Sequence, residues 1–193
     1  MNKFQIIFAI TACAILGASA QEAKPPVRIA LAGLEHDHAL GFIPRFAGRT
    51  DVQLVGIAET NQDLIARYSK RFHLPANIFY PSLEAIFAKT NVQAVATFTS
   101  TFGHERVVET CAAHGVDVMM EKPLATNRKQ ARAIEAAAKR SGIQVIVNYE
   151  TSYYPGNWQA YAMVHDEHQI GDIRRIVVHD GHRGPQEIGC STN

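Results

Sequence analysis

Between residues 27 and 148 the chain alternates short, mostly apolar runs with helical patterns, and this alternation limits its fold more than any other feature. Val27–Ala32 (VRIALA) and Val52–Ala58 (VQLVGIA) are near-continuous apolar runs of strand length, and others recur at 78–80, 92–98, 116–120 and 143–148. Helical patterns separate them at 39–47, 61–72, 82–89, 104–114 and 126–141. In 61–72, Leu64, Ile65, Tyr68 and Phe72 share one face, with Asn61 placed to cap the helix. Thr126 is placed as the cap of the last helix, and Gly115 and Gly142 stop the helices before them. Strands that are apolar on both faces need cover on both faces, so this order predicts a parallel sheet between two layers of helix. Right-handed crossovers then make it a doubly wound α/β sheet.

The rhythm changes at both ends. Met1-Asn2-Lys3 is followed by an apolar run over residues 4–16 and then by Ala18-Ser19-Ala20. A basic start, a short apolar stretch and a small-x-small site read as a secretory signal peptide over 1–20, cleaved after Ala20. The run is too short to cross a bilayer, which takes about 20 apolar residues. Export to the periplasm or the extracellular space is therefore expected, with residues 21–26 as a leader. After residue 148 comes an aromatic, polar link, then a helical pattern at 157–165 and a strand pattern at 173–179. One helix and one strand cannot close a core of their own. Residues 27–148 therefore read as a complete sheet domain, and 149–193 as the truncated start of a second, α+β domain.

Composition narrows the class of partner. The chain has 193 residues, is 47% hydrophobic, and carries 19 Lys+Arg against 18 Asp+Glu. That composition is globular, not disordered or collagenous. Balanced charge gives no electrostatic basis for binding nucleic acid or an anionic membrane surface. Of the three cysteines, Cys111 lies in a helical pattern among apolar residues and reads as a buried thiol. An oxidising compartment would permit it to pair with Cys190, but nothing in the sequence requires that.

The candidate site residues collect at the carboxyl ends of the strands, where open parallel sheets bind ligands. The first turn reads Gly33-Leu34-Glu35-His36-Asp37-His38. A dinucleotide fingerprint is G-x-G-x-x-G; only its first glycine is present, and Glu35 and His38 stand at the other two positions. Gly33 still permits a tight turn and the following helix start still offers N–H groups to a pyrophosphate, whereas Glu35 would repel it unless turned away. A turn with no ligand is the alternative. Glu59 ends the second strand and can accept bonds from ribose hydroxyls, which favours NAD over NADP; a solvated strand-end glutamate is the competing reading. Thr99, Ser100, Thr101 and His104 follow the next long strand, as cleft lining or as helix caps. Glu121-Lys122-Pro123 ends the strand after that, with Lys122 able to polarise a substrate oxygen or assist proton transfer; a charged strand end with a Pro turn is the competing reading, and the one spacing alone favours.

Together these segments resemble the glucose–fructose oxidoreductase/inositol dehydrogenase/MocA (Gfo/Idh/MocA) family. Glu121-Lys122-Pro123-Leu124-Ala125 matches the family's E-K-P-L-A at every position. Residues 99–104 keep the Thr and His of its A-T-P-N-x-x-H, with Ser100 and Thr101 replacing Pro and Asn. Ile170-Gly171-Asp172-Ile173 is similar to its I-G-x-I turn into the second domain. The resemblance implies an NAD(P)-dependent oxidoreductase, with NAD the expected cofactor and NADP the alternative. Its expected substrate is a sugar, polyol or related small molecule, and homo-oligomers are expected where a full second domain is present. It places Gly33, Leu34, Glu35, His36 and Asp37 on the pyrophosphate, Glu59 on the ribose, and Thr99, Ser100, Thr101 and His104 along the cofactor cleft. Glu121 falls near the nicotinamide and Lys122 is the catalytic lysine. The family's D-x-x-x-H motif would lie past Asn193. A non-catalytic nucleotide-binding module is the alternative, as is an NAD-dependent redox-neutral glycosidase if a full C-terminal domain exists.

Three histidine–acid clusters carry a rival metal reading: Glu35-His36-Asp37-His38, His165-Asp166-Glu167-His168 and His179-Asp180-Gly181-His182. Histidine with carboxylate is transition-metal chemistry, but no cluster alone supplies a full tetrahedral ligand set, so no metal is expected.

Overall fold

The computed structural model describes residues 24–179 and 181. The signal peptide expected over 1–20, Cys190 and the His182 end of the third cluster lie outside the described residues. Six strands form one parallel sheet: β1 (Val27–Ala32), β2 (Val52–Ala58), β3 (Phe79–Tyr80), β4 (Ala94–Thr97), β5 (Asp117–Glu121) and β6 (Val145–Asn148). Their order is β3-β2-β1-β4-β5-β6, so chain direction across the sheet reverses between β1 and β4. This is the doubly wound sheet the alternation predicts, with its topological switch point beside the first turn.

The two-residue period of the strands sorts the core into two layers. Ala30, Ala32, Val95, Val118 and Met120 face α3 (Leu83–Phe87), α4 (His104–Ala113) and α5 (Arg128–Ser141). Leu31, Ile57, Ala96 and Phe98 face the other way, onto α1 (His38–Phe42) and α2 (Gln62–Phe72), whose Tyr68 is fully buried. Asn61 caps α2 as expected: its Oδ1 accepts from the N–H groups of Asp63 and Leu64.

Several boundaries differ from the sequence expectation. The helix expected over 39–47 is the short α1 followed by a 3-10 turn, Ile43–Phe46. Pro44 has no N–H to continue the α-helical ladder, so the chain tightens there. Asn127, not Thr126, caps α5, its Oδ1 accepting from Gln130 N–H, while the Gln130 side chain reaches back to Thr126. The strand pattern at 173–179 forms no strand, and Ile173, Ile176, Val177 and Val178 are exposed. Among the described residues no neighbouring strand pairs with it, and an unpaired strand leaves its backbone N–H and C=O groups without a ladder. The helical pattern at 157–165 is borne out in shifted form, as α6 (Pro155–Tyr161) and a π-helical turn, Ala162–Asp166. No described helix is long and apolar enough to cross a membrane.

Candidate functional site

At the switch point the turn after β1 is held tightly against the turn after β4. Gly33 has φ +75°, and a Cβ there would lie 2.7 Å from Thr99 Cγ2 and 3.1 Å from the Thr99 backbone. Only glycine takes this conformation and this approach without strain. Gly33 N–H donates to Ala58 O (2.9 Å) and His36 N–H to Phe98 O (2.9 Å), which laces the turn to β2 on one side and β4 on the other.

Two carboxylates lie across this cleft. Glu59, at the end of β2, accepts from Leu34 N–H through Oε2 (2.9 Å) and from Thr60 and Asn61 N–H through Oε1 (2.8 Å each). Glu35 turns away from its own loop and accepts from Ser100 N–H (2.7 Å). The position where a fingerprint glycine would stand thus carries a side chain that bridges β1 to β4. Thr99 is tied to Thr97 by a 3.0 Å hydroxyl contact, and Gly103 N–H closes the following turn onto Ser100 O. A cavity of about 310 Å³ opens here, lined by Gly33, Glu35, Glu59, Glu84, Thr99 and Arg106 among others. Three carboxylates face one guanidinium in that lining.

A second cluster lies at the end of β5. Glu121 is 1% exposed, and Asn148 Nδ2 of the neighbouring β6 donates to its Oε1 (2.9 Å). Its Oε2 lies 3.0 Å from His38 Nδ1. The His36 and His38 rings meet edge to face with centroids 4.5 Å apart, and His36 Nδ1 accepts from His38 N–H (3.2 Å). Burial holds the His36 imidazole below its usual pKa; the charge of Glu121 opposes this, while those of His38 and Lys122 add to it. His36 is therefore neutral near pH 7. Lys122 itself is exposed at the carboxyl edge, joined to Pro123 by a cis peptide bond.

The sequence-predicted residues thus separate into two groups. Gly33, Leu34, Glu35, Glu59, Thr99 and Ser100 meet across the switch point, and His36, Glu121 and Lys122 meet at the end of β5. Asp37 lies to one side, its Oδ1 3.9 Å from Arg67 Nη2. Thr101 opens the short 3-10 turn before α4. His104 is 1% exposed, with Nδ1 3.2 Å from Leu124 O, beneath the turn that follows β5. Burial lowers its pKa, so it serves as a neutral strut under the Lys122 turn. Sequence reasoning missed the His38–Glu121 contact and the Asn148 bond. The signal was present in β5: a glutamate at the end of an apolar strand is buried only with partners, which made its neighbours worth seeking.

Comparison with known proteins gives this geometry a family. Residues 27–149 match the Gfo/Idh/MocA model, described as an oxidoreductase family with an NAD-binding Rossmann fold. The chain is 27% identical over 152 residues to dTDP-3,4-didehydro-2,6-dideoxy-alpha-D-glucose 3-reductase of Actinomadura kijaniata, covering 79% of this chain and 45% of that protein. It is 29% identical over 140 residues to inositol 2-dehydrogenase/D-chiro-inositol 3-dehydrogenase of Halalkalibacterium halodurans, covering 72% and 39%. Among solved structures, an oxidoreductase from Agrobacterium radiobacter in complex with NAD+, L-tartaric acid and magnesium shares the fold at TM-score 0.66 and 21% identity, covering 76% and 42%. The chain spans less than half the length of these relatives. It belongs to the Gfo/Idh/MocA oxidoreductases, and residues 27–149 are its NAD-binding Rossmann fold.

Proposed function

We propose that this chain is the cofactor-binding part of an exported, NAD-dependent oxidoreductase that acts on a sugar, polyol or related small molecule. The observation that carries the reading is Glu59, whose carboxylate sits at the carboxyl end of β2 beside the first turn. A carboxylate has about four lone-pair sites, and the amides of Leu34, Thr60 and Asn61 use three of them. It can therefore accept a ribose hydroxyl while still bracing the loop, and its charge, with those of Glu35 and Glu84, repels a 2′-phosphate. The residues present thus fit the adenosine-ribose end of NAD. At the pyrophosphate end, the Glu35 carboxylate is engaged by Ser100 N–H, and the Gly33 and Leu34 N–H groups are held by Ala58 O and Glu59.

When bound, the nicotinamide supplies or accepts the hydride. The chain's own residues do the rest. Glu59 orients the ribose, and Gly33 keeps the floor of the cleft open. Lys122 presents its ammonium at the same edge, where it can polarise a substrate oxygen or pass a proton to it. His104, beneath Leu124, supports that turn. Residues 149–193 begin the substrate domain in this reading.

The test is calorimetric titration of the chain with NADH and NADPH. Saturable NADH binding that is tighter than NADPH binding supports the reading; no binding of either at millimolar concentration overturns it. Reduction of NAD by a panel of sugars and polyols, read at the nicotinamide absorbance band, then tests the substrate class.

A further inference from the structure

The cluster at the end of β5 has a composition that hydride transfer does not call for. We propose that His36, His38 and Glu121 form a binding site for a divalent transition-metal cation of the zinc type, next to Lys122. One ligand atom from each of the three side chains lies within 4.8 Å of the other two. Two imidazoles and a carboxylate are the donor set of His₂Glu zinc sites, which keep a fourth position open to water or substrate.

Three features support this. His38 Nδ1 and Glu121 Oε2 are 3.0 Å apart, yet both are buried atoms with no hydrogen-bond partner. The two atoms converge without the alignment that a bond between them needs. Ligand atoms around a tetrahedral zinc, with bonds of about 2.0–2.2 Å, lie roughly 3.3–3.5 Å apart, so this pair is already close to coordination distance. Glu121, buried at the end of a core strand, carries a charge that needs a cation or hydrogen bonds to be stable there. Its other oxygen is held by Asn148 Nδ2, as an outer partner orients a ligating carboxylate.

The site closes by a small motion. The ligand atoms, within 4.8 Å of one another, have to close by roughly 1 Å to reach tetrahedral spacing, a motion that falls to the His36 ring. The ring stands on an irregular loop and is partly exposed, so that rotation is open to it. Lys122, next to Glu121 in the chain, carries an ammonium that opposes a second cation, so weaker binding than that of structural zinc is expected. A cation here would lie between the turn after β1 and the carboxyl end of β5, across the end of β4, able to polarise a substrate oxygen.

The site shares His36 and Glu121 with the expected cofactor cleft, but its test needs no dinucleotide. The test uses the full chain without a polyhistidine tag, stripped with chelator and titrated with ZnCl₂ by calorimetry and with CoCl₂ by visible absorption. One ion per chain is expected, with the intense d–d bands of four-coordinate cobalt. His38→Ala and Glu121→Gln should each weaken zinc at least tenfold, while a His165→Ala/His168→Ala double variant, in the exposed cluster after α6, should bind as the parent does. Cooperative thermal melts establish that each variant folds, and His36→Gln replaces any that does not. The proposal is overturned by the lack of a saturable site in the parent, by binding that survives all three substitutions, or by binding lost in the His165/His168 variant.

Discussion

Alanine at position 33 would have to hold φ at +75° and seat its Cβ 2.7 Å from Thr99 Cγ2, with the Thr99 backbone at 3.1 Å behind it. The two costs are separable. The left-handed backbone costs an L-residue roughly 1–2 kcal/mol. Forcing a methyl into a packed contact costs roughly 1–3 kcal/mol more. Gly48 supplies the control, since its φ is +72° but nothing lies within 4 Å of its Cβ position. Gly48→Ala should therefore lose only the backbone part, about 1–2 kcal/mol, and Gly33→Ala about 2–5 kcal/mol. At roughly 3 °C per kcal/mol for a domain of this size, the melting temperature should fall by about 6–15 °C in the second variant. Urea unfolding followed by circular dichroism reads both, with the slope of the transition unchanged. Thr99→Ser in the Gly33→Ala background removes Cγ2 and should recover part of the loss. Equal destabilisation by the two alanines would refute the close approach of the β1 and β4 turns.

Three further outcomes follow from the site. Glu59→Gln sets an amide N–H₂ against backbone donors, so it should cost about 1–3 kcal/mol and narrow the preference for NADH over NADPH; an unchanged preference would remove Glu59 from cofactor selection. His104 and His36 both have lowered pKa values in the folded chain, first through burial. Below about 6.5 the unfolded chain therefore binds more protons, and stability should fall as pH drops from about 7 toward 5. His104→Gln should flatten part of that slope, as read by melts at fixed salt. The Cys111 thiol is fully buried, with burial pushing its pKa up to about 12. It should resist a disulfide-exchange reagent until the chain is unfolded; fast labelling of Cys111 in the native protein, identified by peptide mapping, would show that α4 does not pack as described.

Much of this fold was legible because strands and helices leave different periods in a sequence. VRIALA and VQLVGIA are apolar on both faces, and only a sheet covered on both sides hides them. Asn61 and Gly142 end their helices by local rules, a side-chain cap and a left-handed glycine, that need no tertiary partner. Local rules failed where neighbours decide. Residues 173–179 have the composition of a strand, but a strand is a pairing and the described residues offer it no partner. The helix expected to continue through 39–47 changes form at Pro44, whose missing N–H outweighs the pattern.

The chemistry divides along the same line. By itself the sequence determined the doubly wound sheet, its carboxyl edge, and which turns carry Gly33, Glu59 and Lys122, because strand and turn positions along the chain follow from periodicity and the double winding from right-handed crossovers. It could not determine where Glu35 points, that Glu59 braces the first turn, or that His36 and His38 stand beside Glu121, some 80 residues further along the chain. Those facts depend on β1 and β5 flanking β4 and on the side-chain directions that packing selects. A histidine–acid cluster read along the chain has too few ligands; only the tertiary structure adds a buried carboxylate from another strand.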